Sequence, residues 1–73
     1  MPSSVIASHS YDPAARELTI AFTTGRVYVY RDVPPELVAA FAIALSKGAF
    51  FNVRIRDHYR CREIDPLSGK RLW

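Results

Sequence analysis

Two runs of alternating residues, separated by a glycine-containing turn, constrain the fold of this chain more than any other feature. In residues 16–23, Leu18, Ile20 and Phe22 fall on one side and small or polar residues on the other. Residues 26–31 are rich in β-branched and aromatic side chains. Alternation of this kind is typical of half-buried strands, so the two runs predict an antiparallel hairpin.

The turn decides which sheet face the two tyrosines of the second strand occupy. A two-residue loop would place Tyr28 and Tyr30 on the face opposite Ile20. A three-residue loop over residues 23–25, with Gly25 in the left-handed region, would place them on the same face. The two-residue loop needs positive φ at a β-branched threonine, which is sterically unfavourable. We therefore predict the three-residue loop, with Ile20 paired to Tyr28.

An earlier alternation, with Val5, Ala7, His9 and Tyr11 on one side, predicts another strand before the hairpin. Asp12-Pro13 would end this strand, because the pair favours a turn and proline cannot donate a backbone hydrogen bond.

Two helices are expected after the strands. Residues 35–47 carry apolar side chains at helical spacing, and Gly48 would end this helix. Residues 49–59 place Phe51, Ile55 and Tyr59 four apart on one stripe. The predicted fold class is α+β: a three-stranded antiparallel β-meander followed by two helices packed on one sheet face.

A chain of 73 residues has room for one domain, which we place at residues 1–61, followed by a basic C-terminal tail at 62–73. Cys61 is the only cysteine, and no group of Cys and His has zinc-ligand spacing. We therefore expect no internal disulfide, no metal and no cofactor. No apolar run reaches the length of a membrane span, and the N-terminus does not resemble a signal peptide, so we expect a cytoplasmic protein without membrane contact.

A core this small rarely contributes more than about 3–5 kcal/mol of net stability, so association between copies is an expected means of support. Val27 and Val29 would lie on the sheet face that the helices leave bare, together with Ala21. An exposed apolar patch of this kind predicts a homodimer through that face or its strand edge.

The positive charge is concentrated in the last third of the chain. Residues 1–46 contain three basic and four acidic residues, whereas residues 47–73 contain seven basic against three acidic ones, a net +4. The seven are Lys47, Arg54, Arg56, Arg60, Arg62, Lys70 and Arg71. They predict either a surface that binds phosphates of RNA or DNA, or a solvated face whose charges are partly matched by Asp57, Glu63 and Asp65.

The sequence of this chain resembles that of the KTSC domain, a small bacterial domain found at the C-terminus of some lysyl-tRNA synthetases and as a stand-alone protein. The resemblance extends from Ser4 to Tyr59. It rests on Leu18-x-Ile20-x-Phe22, Gly25, Tyr28-x-Tyr30, Val33-Pro34, Ala44-x-Ser46-Lys47-Gly48-x-Phe50-Phe51-Asn52 and Ile55-Arg56-x-x-Tyr59. Phe50 stands where the family pattern has a tyrosine. The resemblance implies a common fold with motif positions Tyr28, Tyr30, Gly48, Phe51 and Asn52, and RNA binding by association with the synthetases.

Two of these motifs have competing interpretations. Tyr28 and Tyr30 could stack on bases, as aromatic residues of RNA-binding sheets do, or could belong to the core, which the predicted register favours. Residues 46–52 could hold a phosphate at a helix start, or could simply join two helices. The spacing of their glycine and lysine is not that of a nucleotide-binding loop, so we favour the structural interpretation.

No arrangement of residues predicts catalysis. His9, His58 and Tyr59 lack the base, orienting group and charge stabiliser that an acid–base site requires. Arginines beside Cys61 could lower the pKa of its thiol, but the residue could equally be inert. We predict a non-catalytic module with no small-molecule substrate. We expect this module to bind RNA through its basic second helix and tail. The alternative is a protein-interaction or homodimerisation module that binds no nucleic acid.

Overall fold

The computed structural model describes residues 5–64, which form one antiparallel sheet with helical segments packed against it. The strands are β1 (Ile6–Asp12), β2 (Glu17–Phe22), β3 (Val27–Tyr30) and β4 (Cys61–Ile64), in that spatial order. The helices are α1 (Pro35–Ala42) and α2 (Lys47–Phe50), and α2 continues directly into a π-helix (Phe51–Ile55). Within the described residues, no helix is long and apolar enough to cross a membrane.

The predicted hairpin register between β2 and β3 is confirmed. Gly25 has φ +93°, and its N–H donates to the Phe22 carbonyl at 2.9 Å. The Phe22 N–H donates to the Arg26 carbonyl at 2.8 Å, which closes the three-residue loop. Ile20 is therefore paired with Tyr28.

A bulge in β1 corrects the predicted first strand. The register shifts between Ile6 and Ser8, so Ala7 is the extra residue. As a result, the side chain that enters the core is Ile6, at 6% exposure, whereas Val5 is 45% exposed. His9 lies beyond the bulge on the core side, with its ring 4.8 Å from that of Phe41.

The sheet has four strands, so the predicted three-stranded meander is wrong in its strand count. β4 pairs antiparallel with β3, and the Arg31 N–H donates to the Arg60 carbonyl at 2.8 Å just beyond the strand ends. Residues 62–64, assigned from sequence to a tail, therefore belong to the sheet. The rest of the predicted tail, with Lys70 and Arg71, lies outside the described residues.

The helical region also differs from the prediction. α1 ends at Ala42 rather than at residue 47, and Leu45 is fully exposed. Ser46 starts a new helix because its hydroxyl accepts a hydrogen bond from the Ala49 N–H at 3.2 Å. Gly48 thus lies inside the first turn of α2 and does not end a helix. The break redirects the chain so that Phe51 reaches the core.

The core lies between the helices and one face of the sheet, which we call the inner face. Its buried side chains are Ile6, Leu18, Ile20, Tyr30, Val33, Leu37, Phe41, Phe51 and Ile55. The prediction that both helices pack on the same sheet face is confirmed. The opposite face, which we call the outer face, carries no helix among residues 5–64.

Candidate nucleic-acid interface

Five of the seven predicted phosphate-binding residues lie within the described part of the chain, and we call them the basic arc. Arg54 is in the π-helix, Arg56 follows its last residue, and Arg60 immediately precedes β4; all three are exposed. Lys47, the first residue of α2, and Arg62, within β4, are half-buried. Lys70 and Arg71, the other two, cannot be placed because they lie outside residues 5–64.

The second helix, predicted over residues 49–59, does not extend that far. It ends at Ile55, and Arg56 has the extended angles φ −58° and ψ 131°. Asp57 then adopts φ +65°, in the left-handed region, and turns the chain toward the sheet. Arg60 is consequently held by its backbone hydrogen bond to Arg31, so the basic arc runs from a helix end to an edge strand.

The exposed arginines of the basic arc keep their charge available. Within residues 5–64, no carboxylate lies at ion-pair distance from Arg54, Arg56 or Arg60. Glu63, one of the acids expected to neutralise this region, instead lies 3.6 Å from the Arg26 guanidinium. A hydrogen bond to Tyr28, followed by the charge of Glu63, raises the pKa of Arg26.

Arg54 is oriented by an aromatic ring. Its guanidinium carbon lies 5.6 Å from the centroid of the Phe50 ring, within the range of a cation–π contact. The π-helix contributes to this placement because its wider turn, closed by the Arg56 N–H donating to the Phe51 carbonyl at 2.7 Å, shifts the following side chains. Phe50 in turn packs against Phe41, so Arg54 is anchored to the core.

A shallow open pocket adjoins Arg54. Its volume is about 260 Å³, and its lining residues are Pro34, Glu36, Leu37, Ala40, Arg54 and Tyr59. It forms because α1 and the turn after the π-helix meet here, a tertiary contact with no sequence signal. The pocket is smaller than most small-molecule sites, which measure roughly 300–1,000 Å³.

The tyrosine pair belongs to the core side of the sheet. Tyr30 is 5% exposed, and its ring meets that of Phe51 edge-to-face at 5.5 Å. Burial, assisted by Cys61 and Tyr28, raises the pKa of the Tyr30 hydroxyl, while Arg56 opposes the shift. Tyr28 is half-buried and contacts Phe22. The core interpretation of this pair is therefore confirmed, and the rings do not form a base-stacking platform.

The other family-motif positions are mainly structural. Phe51 is buried, Asn52 is exposed on the π-helix, and Gly48 lies beside Val5, just before β1. A Cβ on Gly48 would lie 3.4 Å from the Val5 side chain. At the start of α2, the Ala49 N–H already donates to the Ser46 hydroxyl at 3.2 Å.

The residues considered for catalysis or metal binding are scattered. His58 is exposed in the turn before β4, and Cys61 is exposed at the start of that strand. Across residues 5–64, no three side chains of His, Cys, Asp or Glu are close enough to hold a metal ion.

Comparisons with known proteins place these features in a family. The model of the KTSC domain matches residues 2–59. An uncharacterised protein of Stutzerimonas stutzeri is 41% identical over 66 residues, covering 89% of this chain and 93% of that protein. A crystal structure of a KTSC domain protein from Yersinia pestis superposes with a TM-score of 0.78 at 40% identity, covering 88% and 93% of the two chains.

A lysine-tRNA ligase of Nostoc punctiforme is also similar, at 38% identity over 61 residues. The match covers 84% of this chain but only 11% of the ligase. Only a small part of the ligase therefore resembles this chain.

Proposed function

The chain belongs to the KTSC domain family, and we propose that it is a non-catalytic module that binds RNA through its basic arc. The observation that carries the proposal is the set of exposed arginines, Arg54, Arg56 and Arg60, without a carboxylate at ion-pair distance in residues 5–64. Arginine side chains in this state attract phosphate oxygens and release counterions when they bind them.

The identity of the polyanion is suggested by one group of relatives. The Nostoc punctiforme relative is by name a lysine-tRNA ligase, so a domain similar to this chain forms part of a protein that acts on tRNA. A second ligase, from Nostoc sp., is 30% identical over 61 residues. These relatives favour RNA over other polyanions.

The sheet itself is not the proposed binding surface. RNA-binding sheets use exposed aromatic rings to stack bases, but here Tyr28 and Tyr30 face the helices. The outer face presents Thr19, Ala21 and Val29 instead. Without stacking, binding depends on phosphate contacts, so we expect low sequence specificity and strong salt dependence.

The test is fluorescence anisotropy with a labelled single-stranded RNA, a hairpin RNA and the matching DNA, at salt concentrations from about 20 to about 200 mM. If the three exposed arginines each contact one phosphate, the slope of log K against log salt should be about −2 on single strands. Absence of binding to every probe at the lowest salt would refute the proposal.

Charge-matched variants separate the basic arc from general basicity. Arg56→Gln and Arg60→Gln should each weaken binding. Each should also make the slope of log K against log salt less steep by about 0.7, the value of one phosphate contact on a single strand. Arg16→Gln removes the same charge from the exposed turn between β1 and β2, and should have a much smaller effect. Equal losses in all three variants would show that net charge, and not the basic arc, determines binding. Thermal melting of each variant checks that folding is preserved.

A further inference from the structure

The strand registers arrange the outer face into three rows that cross the sheet from β1 to β4. The first row is Ser8, Ala21, Val27 and Ile64. The second row is Ser10, Thr19, Val29 and Arg62. The third row is Asp12 and Glu17, followed by Arg31 and Arg60, which continue the registers just beyond the ends of β3 and β4.

Charge is distributed asymmetrically along the third row. Its two acidic residues lie on the β1–β2 half and its two arginines on the β3–β4 half. Within residues 5–64, none of Glu17, Arg31 and Arg60 takes part in an ion pair. This holds although Glu17 and Arg31 lie next to each other in the row. The Asp12 carboxylate accepts hydrogen bonds from the Ala14 and Ala15 N–H groups, at 3.0 and 3.3 Å, but forms no ion pair within residues 5–64. The row therefore has one negative and one positive end.

We propose that the outer face packs against the outer face of a second copy of this chain, around a two-fold axis nearly parallel to the strands. Such an axis keeps each row opposite itself but reverses its direction, so β1 lies over β4 of the other copy. Glu17 then stands opposite Arg31 of the partner subunit, and Asp12 opposite Arg60 of the partner subunit. The same reversal places Ala21 opposite Val27 of the partner subunit and so buries the apolar row.

The competing two-fold axis, perpendicular to the strands, does not produce this match. It would place the charged third row over the apolar first row, so Glu17 and Arg31 would face Ala21 and Val27 of the other copy. Burying unpaired charges against apolar side chains is strongly unfavourable. Both axes keep the strands of the two sheets aligned, as in the usual packing of sheets at about 30°, so the matching of charged and apolar rows decides between them.

The size of the outer face indicates a weak dimer. Four strands about 4.8 Å apart and three rows about 7 Å apart give a contact of roughly 400 Å² per copy. The total, about 800 Å², is below the roughly 1,200–2,000 Å² of stable specific interfaces and is typical of weak contacts, so association is expected only at high protein concentration. The charged pairs at the rim would mainly determine orientation, because exposed ion pairs are individually weak.

The test is sedimentation equilibrium of the full chain without nucleic acid, at concentrations up to about 1 mM, the range of weak association. The wild type should approach twice the monomer mass of 8.3 kDa. Glu17→Lys and Arg31→Glu, each alone, should weaken association by about tenfold or more, because each turns both symmetry-related pairs into like-charge contacts. Glu36→Lys makes the same charge change on α1, away from the outer face, and should leave association unchanged.

Mixing the two single variants provides the decisive measurement. In a mixed dimer, each substituted side chain faces an opposite charge, so an equimolar mixture should associate as tightly as the wild type. A wild type that stays monomeric at the highest concentration overturns the proposal. Association that persists in both single variants, or that mixing fails to restore, also overturns it. Because no RNA is present, these results are independent of the proposed RNA binding.

Discussion

Replacement of Phe51 should test how the helical region is attached to the sheet. Phe51 is 6% exposed and makes edge-to-face contacts with Phe22 at 5.4 Å and with Tyr30 at 5.5 Å. Truncating a buried phenylalanine to alanine costs about 3–5 kcal/mol, and each aromatic pair adds about 0.5–1.5 kcal/mol. A domain of this size is expected to have about 3–5 kcal/mol of net stability in total. Phe51→Ala should therefore be largely unfolded at 25 °C.

Phe51→Leu keeps most of the apolar volume and isolates the aromatic contribution. We expect its free energy of unfolding to fall by about 1–3 kcal/mol, measured by urea denaturation followed by circular dichroism. Val53→Ala, two residues away on the same π-helix but 67% exposed, should change stability by less than about 0.5 kcal/mol. If Phe51→Ala unfolds at the same urea concentration as the wild type, this side chain does not connect the helices to the sheet.

Three further changes have expected effects that can be measured in the same way. Gly25→Ala should lower the free energy of unfolding by about 1 kcal/mol because φ is +93°. Gly48→Ala should leave it unchanged or raise it slightly, because alanine has the higher helix propensity. A Gly25→Ala variant as stable as the wild type would contradict the assigned turn. Ser46→Ala should cost about 0.5–1 kcal/mol through loss of the N-cap to Ala49, and Ser46→Asp should retain most of that stability. Burial raises the pKa of Tyr30 above 10, the ordinary value for tyrosine. The free energy of unfolding should therefore fall as pH rises above 10, because the hydroxyl then ionises readily only in the unfolded chain. Tyr30→Phe should remove that part of the pH dependence.

The hairpin could be predicted because its register depends on local chemistry. One glycine in a loop with β-branched neighbours decides where positive φ can occur, and that choice places both tyrosines on the inner face. The burial of Phe51 and Ile55 could be predicted for a similar reason, since their spacing of four residues places them on the same side of a helical turn.

β4 could not be predicted because an edge strand needs little hydrophobic signal of its own. Residues 61–64 contain one large aliphatic side chain, Ile64, and the pairing is determined by the free edge of β3. The bulge at Ala7 is similar, since it depends on how β1 meets β2. The helix break before Ser46 had a visible N-cap signal, but the alanine-rich stretch before it favoured a continuous helix.

The two proposed surfaces share β4, and this placement separates their effects. Arg60 lies in the third row of the outer face and also in the basic arc, so its substitution affects both surfaces. Arg56 belongs only to the basic arc, and Glu17 only to the outer face.

In the proposed dimer, β4 of each copy lies over β1 of the other, so the two basic arcs occupy opposite edges, separated by about three strand spacings or roughly 14 Å. A short RNA held by one arc would not need the second copy. Because the dimer pairs Arg60 with Asp12 of the partner subunit, dimerisation should weaken the binding of short RNA by about one phosphate contact, and only an RNA long enough to reach both edges should gain affinity from it.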